Sequence, residues 1–542
     1  MRAVIAERSK VLIVEDDRVA RELLTEILRE QWGFDGIVVS DYFAVDQLQQ
    51  AHQVTEDKAE SARLSLEAGI DIELPSTDCY GEPLRGLAEA GQIDQAVIDL
   101  SVSRVLRTKF QLGLFDNPWV DEGAAAAAFD TPADRALARR IAQQSLVLLK
   151  NEGNLLPLSK NLGSVAVIGP NADSARNLVG DYTYICHVET LIEARDKDNA
   201  FGAAIAKNIE IVEDFVPIDS VLEAIQAAVS PETVVHYAQG CDVNSDRRDG
   251  FAAAVEAARQ ADLAIVVVGD KSGLTDDCTT GEARDRADLN LPGVQQELVE
   301  AVVATGTPTV VVLVNGRPLS INWIAEHAAA IVEAWLPGEE GAGALADVLF
   351  GDVNPGGKLP MTFPRSVGQV PIYYGHKPSG GRSHWKTNYV ELSNTPLFPF
   401  GFGLSYTTFE LANLRLDRKA AAAGEVVAVS VDVTNTGKRA GDEVVQLYVR
   451  STAAGLTRPL KELKGFHRLH LQPGQRQTVT FDLAVSQLAF LNREMRWVVE
   501  PGPVQIMVGT SAVDLPLAGC FDITGDAVEV SRQVFTTPSR AG

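Results

Sequence analysis

Cysteine is scarce in this sequence: five residues, Cys79, Cys186, Cys241, Cys278 and Cys520, odd in number and without a CxxC spacing. Such a set supports neither a disulfide framework nor a zinc site, and the five read as reduced, structural thiols. No apolar run reaches the ~18 residues that a membrane span requires. The opening MRAVIAERSK is too charged, and its apolar part too short, for a secretion signal; a cytoplasmic location is the default expectation. Positive charge is also in short supply, with 48 Lys and Arg against 73 Asp and Glu and a formal net charge of −25. Without a basic stripe to meet phosphates, neither nucleic acid nor an anionic membrane is an expected partner. No GxGxxG or GxxxxGK[ST] follows a strand-like run, so nucleotide binding has no motif support. No metal and no organic cofactor is implied.

What remains is ordinary globular material, 46% hydrophobic and 22% charged over 542 residues. That length suits three or four domains of ~100–200 residues each. Three textures follow one another. From Arg21 to Phe115, helices alternate with one clear strand, Ile37–Val39. Leu23, Leu24, Ile27 and Leu28 make a helical stripe, Gln47–Ala68 reads as one helix before an AGIDIELP turn, and Ile93–Phe110 reads as another helix closed by Gly113. DEGAAAAAFDTPAD reads as a linker, with an alanine-rich helix as the alternative.

The second texture sets apolar strands Val165–Gly169, Leu263–Gly269, Thr309–Gly316 and Ala329–Trp335 against helices Phe251–Ala261, Gly293–Ala304 and Gly341–Leu349. Continuous Val/Ile runs between helices predict a mostly parallel sheet covered on both faces. The third texture begins near Gly424. There Val427, Val429, Val431 and Val433 alternate onto one face, and QTVTFDL and VQIMVG continue the pattern, which predicts a β-sandwich. The last dozen residues read as a loose tail. The fold class is therefore multidomain α/β.

Reacting groups in α/β architectures sit at the carboxyl ends of strands. Asp41, directly after Ile37–Ser40 in GFDGIVVSDYFAV, has such a place. An aspartate there also suits the cap of a helix starting at Phe43, and spacing leaves both readings open. After strand Leu263–Gly269 comes DKSGLTDDCTTGEARDRADLNLPG, without apolar periodicity. Structureless loops beyond ~12–15 residues are usually functional or disordered. Its acids include Asp276, Asp277, Glu282 and Asp285; one could donate a proton, or the loop is a solvated acidic surface. Glycosidic bond cleavage needs two carboxylates and no cofactor, one attacking while the other protonates the leaving oxygen.

RELLTEILREQWGFDGIVVSDYFAV resembles the nucleophile segment of glycoside hydrolase family 3, the β-glucosidase and β-xylosidase family. The likeness runs on in order through RVLRTKFQLGLFDNP, SLVLLKNEGNLLPL, VAVIGPNAD, the GDKSGLTDDCTTGEARDRADLNLPG loop, LVNGRP, AWLPGEEGAGALADVLFGDVNPGGKLPMTFP and PFGFGLSYTTF. TNTGKRAGDEVVQLYV resembles its fibronectin-III-like C-terminal domain. The resemblance implies that Asp41 is the catalytic nucleophile and Glu282 the general acid/base of a retaining, exo-acting β-glucosidase or β-xylosidase. Its substrates would be small β-glucosides or oligosaccharides, cleaved at the non-reducing end. Retention needs the two carboxyl groups ~5–5.5 Å apart. Trp385 is a candidate for stacking on a sugar face, or packs into its own domain. Arg286 either positions the Glu282 loop and binds substrate or pairs with Asp285.

The family's first domain is a (β/α)8 barrel of ~250 residues, whereas here the recognisable part begins near Arg21. The expected domains are thus an atypical segment 1–20, the C-terminal part of a barrel 21–120, a linker 121–140, an α/β sandwich 141–365 and a connecting segment 366–420. A fibronectin-III-like domain 421–530 and a tail 531–542 complete the map. Val11–Val14 and Glu15-Asp16-Asp17 resemble the opening of a receiver domain, but the hydrolase pattern has taken over by Gly33. The family's Lys-His motif and sugar-gripping aspartate have no counterpart. The expected alternatives to a working enzyme are an inactive carbohydrate-binding remnant, or half of a split enzyme completed by an N-terminal barrel fragment. Association as a homo-oligomer is the other partner expectation.

Overall fold

The computed structural model describes residues 12–14, 22–196, 208–211, 216–378, 388–452, 454–530 and 534–542. The receiver-like acids Glu15 to Asp17, and Trp385, lie outside the described residues. The chain divides into two compact units between Ala128 and Phe129. No helix among the described residues is long and apolar enough to cross a membrane.

In the first unit three parallel strands lie in the order β1 (Leu12–Val14), β2 (Val38–Tyr42), β3 (Ile72–Leu74). A π-helical segment Glu22–Gln31 leads into β2. Its expected stripe is half realised, with Leu24 and Leu28 buried against Phe34, Val38 and Ile70 while Leu23 faces outward. Two expectations need correction. The AGIDIELP turn instead holds strand β3, disguised by two buried acids, Asp71 just before it and Glu73 within it. Asp71 accepts from Arg29 (2.9 Å), Arg104 (3.0 Å) and the Val38 amide (2.9 Å), and Glu73 accepts from the amides of Cys79 and Tyr80. The helix expected over Gln47–Ala68 is two, Ala44–Gln50 and Lys58–Ala68. Gln53 at φ 54 breaks the run, and Asp57 caps the second helix by accepting from the Glu60 amide at 2.8 Å.

The segment read as a linker carries two helices. Its alanines form Glu122–Ala128, since alanine has the best helix propensity, and Pro132–Ser145 follows a Thr131/Asp134 capping box.

The second unit opens with a six-stranded sheet in the order β4-β9-β8-β7-β5-β6. Its strands are β4 (Val147–Asn151), β5 (Ser164–Ile168), β6 (Val234–Ala238), β7 (Ala264–Gly269), β8 (Thr309–Val314) and β9 (Ala330–Glu333). Only the β4–β9 pair is antiparallel. Every residue of β7 and β8 is buried. Alternate side chains serve two cores: Ile265 and Val267 join one face, Ala264, Val266 and Val268 the other. That is why these strands read as unbroken apolar runs.

A β-sandwich follows, with sheets of four and five strands. Val427, Val429, Val431 and Val433 are fully buried between them. A buried ion pair, Lys358 with Glu443 at 2.7 Å, ties the sandwich to the α/β domain. The expected loose tail needs correction as well. Ser539–Ala541 adds an antiparallel edge strand beside Val479–Phe481, because the open edge of Arg476–Ala484 offers unpaired backbone groups.

Candidate active site

Asp41 is the penultimate residue of β2, the middle strand of the first unit's sheet. Its backbone is held from both sides. Ser40, buried, donates its hydroxyl to the Asp41 carbonyl (2.8 Å) and accepts from the Leu74 amide (3.0 Å). The Asp41 carboxylate accepts from the Tyr42 amide at 2.7 Å. The capping alternative fails on geometry. The helix starts at Ala44 with Phe43 at the cap position, φ 60, and no side chain closes it. Asp41 therefore stands at a strand's carboxyl end without a cap to serve.

Glu282 lies in the second unit, on the loop between β7 and helix Gln295–Val303. This loop is irregular, as expected, but its first half is packed rather than solvated: Asp270, Ser272, Thr275, Cys278 and Thr279 are all buried. It folds back on itself, the Thr279 amide donating to the Lys271 carbonyl (2.9 Å) and the Gly273 amide to the Thr280 carbonyl (3.0 Å). Gly281 sits at φ +135, where a Cβ would run into the Gly273 carbonyl oxygen, so only glycine fits the turn that presents Glu282. Arg176 anchors the root, donating to the Ser272 carbonyl at 2.8 Å while paired with Glu189 at 2.7 Å.

The acids of this loop divide cleanly. Asp276, Asp277 and Asp285 pair with Arg284, Lys271 and Arg317. Glu282 has no ion pair among the described residues; its carboxylate accepts from the Tyr182 hydroxyl, and its amide donates to Asp181 Oδ2 at 2.8 Å. Sequence reasoning missed Asp181 and Tyr182, which come from the segment after β5, about a hundred residues away. Arg286 does not ion-pair with Asp285. It pairs with Asp288 at 3.1 Å, only its backbone amide meets Asp285 (2.8 Å), and its Nε is buried without a hydrogen-bond partner among the described residues.

Beside the loop lies a cleft of about 930 Å³, lined among others by Arg284, Arg286, Arg317, Met361, Tyr373 and Phe400. That is within the size range of small-molecule sites. At the carboxyl ends of β7, β8 and β9 come Asp270, Asn315 and Glu333, all fully buried. Burial pushes the Asp270 carboxyl up and the Glu333 carboxyl well above the usual carboxylate range. Glu333 Oε1 accepts from Trp335 N (2.9 Å) and Asn315 Nδ2 (3.1 Å). Among the described residues no group of three or more His, Cys, Asp or Glu is placed to hold a metal ion.

Fold and site define a multidomain α/β protein that presents carboxylates at and beyond strand ends, with a fibronectin-III-like sandwich at its carboxyl end. Three family descriptions match in series. They are the glycosyl hydrolase family 3 N-terminal domain over residues 14–108, its C-terminal domain over 146–406 and a fibronectin type III-like domain over 443–512. A β-xylosidase of Formosa agariphila is 42% identical over 90% of this chain and 65% of its own length. A β-glucosidase of Rhizobium radiobacter is 32% identical over 91% of this chain and 73% of its own. The crystal structure of a β-glucosidase from Listeria innocua in complex with isofagomine superposes with a TM-score of 0.80 at 32% identity, over 93% of this chain and 66% of that one. The chain belongs to glycoside hydrolase family 3. It spans 65% of the length of the Formosa relative.

Proposed function

We propose that this chain is a retaining β-glycosidase, a β-glucosidase or β-xylosidase acting on terminal non-reducing β-D-glycosyl residues. Asp41 is the nucleophile, forming a covalent glycosyl-enzyme. Glu282 protonates the departing oxygen and then deprotonates the incoming water. The first unit, on this reading, is the closing part of a (β/α)8 barrel, in keeping with its parallel strands and intervening helices. Arg286 and Trp385 are the proposed substrate contacts, and small β-glucosides or oligosaccharides the substrates. One observation carries the proposal: Asp41 ends a parallel strand with no structural duty as a cap, inside the segment that matches the family's N-terminal domain.

The test is hydrolysis of 4-nitrophenyl β-D-glucoside and β-D-xyloside by the full chain beside Asp41→Ala. Release by the first alone supports the enzyme. A 2-fluoro glycoside that labels any residue but Asp41 refutes the nucleophile. The alternative reading is a chain that binds carbohydrate without turnover, or one that works only with a complementing barrel fragment. On that reading wild type and Asp41→Ala show equal background.

A further inference from the structure

Arg317 lies just beyond β8, yet its side chain serves the loop after β7. Nη2 donates to the Thr279 carbonyl at 2.5 Å and Nη1 donates to Asp285 Oδ1. Nε faces Asp270 Oδ2 at 3.9 Å, at the loop's root. Thr279 and Asp285 stand at equal distances before and after Glu282 in the chain. One guanidinium therefore spans the turn from shoulder to shoulder while resting on a fully buried carboxylate. The arginine is itself largely buried, its side chain 14% exposed. Its backbone is held in turn, the Arg317 carbonyl accepting from Asn315 Nδ2 at 2.8 Å.

Resting on the reading of Glu282 as general acid/base, we propose that Arg317 is a positioning residue for this reaction, a staple that fixes where the turn carrying Glu282 stands. The chemistry favours arginine here. A rigid planar fork reaches a carbonyl and a carboxylate in different directions at once, whereas a lysine ammonium is a single point on a flexible stem. The Asp285 side chain is 81% exposed, and an exposed pair alone holds little. The grip comes from the Thr279 carbonyl and the buried Asp270 acting together. Arg176 cannot substitute, since it holds Ser272 at the root and leaves the tip free.

The experiment compares the full-length wild type with Arg317→Lys, Arg317→Ala and Asp285→Asn by hydrogen exchange and kinetics. Amides of Thr279, Glu282 and Arg284, all hydrogen-bonded here, should exchange about tenfold faster in both Arg317 variants, with residues 309–314 unchanged. On poor leaving groups such as cellobiose, kcat/KM should fall about 100-fold, as expected of a misplaced acid. On 2,4-dinitrophenyl β-glucoside, which needs little protonation to depart, it should fall less than about fivefold. KM on cellobiose should stay constant, and Lys should recover less than half of the loss. Unchanged exchange in the turn, or a loss equal on both substrates, overturns the proposal. If Arg317→Ala also exposes 309–314, Arg317→Lys decides by the same criteria, while Asp285→Asn, which loses only the exposed pair, should leave exchange and kinetics within about twofold of wild type. Faster exchange in the Arg317 variants, with a wild type that turns over no glycoside, keeps the staple and removes the acid/base reading, so the two failures are distinct.

Discussion

Replacing Asp71 by alanine would leave two arginines facing a buried gap. Its carboxylate is 1% exposed and takes Arg29 at 2.9 Å and Arg104 at 3.0 Å, themselves 10% and 13% exposed. It also accepts from the Val38 amide at 2.9 Å, so one side chain ties β2, β3 and two helical segments together. Arg29 already titrates low through burial and then the nearby charge of Arg104, so removing the anion leaves two poorly solvated like charges. Breaking a buried pair in this way costs about 3–5 kcal/mol. At about 1.4 kcal/mol per decade, a loss of about 4 kcal/mol speeds amide exchange roughly 500- to 1,000-fold where opening of the unit limits it. The assay is hydrogen exchange followed by mass spectrometry, reading residues 38–42 against 309–314. Asp71→Asn, which keeps an acceptor for Val38 but loses the charge, should fall between wild type and alanine. Acceleration below about tenfold in 38–42, or equal acceleration in 309–314, would refute the claim that this carboxylate organises the first unit.

Glu333→Gln should stabilise the second unit increasingly as pH rises. Burial raises the folded pKa above the unfolded value of about 4.3; the native state's favourable proton binding is therefore complete below that value and lost as pH climbs through the folded pKa. Denaturant titrations at acid and alkaline pH read the gap, and parallel wild-type and Gln curves would contradict it. Asp432→Asn should act in the opposite range. The hydrogen bond from Arg415, foremost, holds the Asp432 carboxyl well below the usual carboxylate range. Its contribution is thus present above about 3.9 and lost as pH falls through the folded pKa; the Asn variant should lose the acid limb of sandwich stability. Gly281→Ala, forced against the Gly273 carbonyl at φ +135, should cost roughly 1–3 kcal/mol of local strain. It should loosen exchange at Glu282 without touching 38–42; unchanged exchange there would mean the turn tolerates a side chain.

Local pattern carried the sheet of the second unit well. β7 and β8 are buried on both faces, so their residues could be apolar without interruption, and helix Gly341–Leu349 falls where its periodicity put it. Where the reading failed, the decisive partner was distant. Two acids made β3 look like a turn because the arginine and amide donors that satisfy them come from other elements. The terminal strand is invisible to local pattern, since what makes Ser539–Ala541 a strand is the edge it meets. The site divides the same way. Asp41 and Glu282 stand in recognisable motifs, while the residues gripping Glu282 contact it across about a hundred positions and leave no mark in its own segment.

The two candidate carboxylates are also held by different physics. Asp41 sits in a strand whose position follows from ladder hydrogen bonds and the Ser40 clamp to Leu74, so its placement depends on the integrity of the sheet rather than on contacts to its own carboxylate. Glu282 stands on an irregular loop, where its place depends on Asp181, Tyr182 and the Arg317 contacts at either shoulder. Strand-borne groups are more precisely placed than loop-borne ones unless supporting contacts lock the loop. Under the proposed roles, substitutions around the loop should therefore tune the protonation of leaving groups while glycosylation of Asp41 by highly activated glycosides continues. Changes to β2 should abolish both steps together.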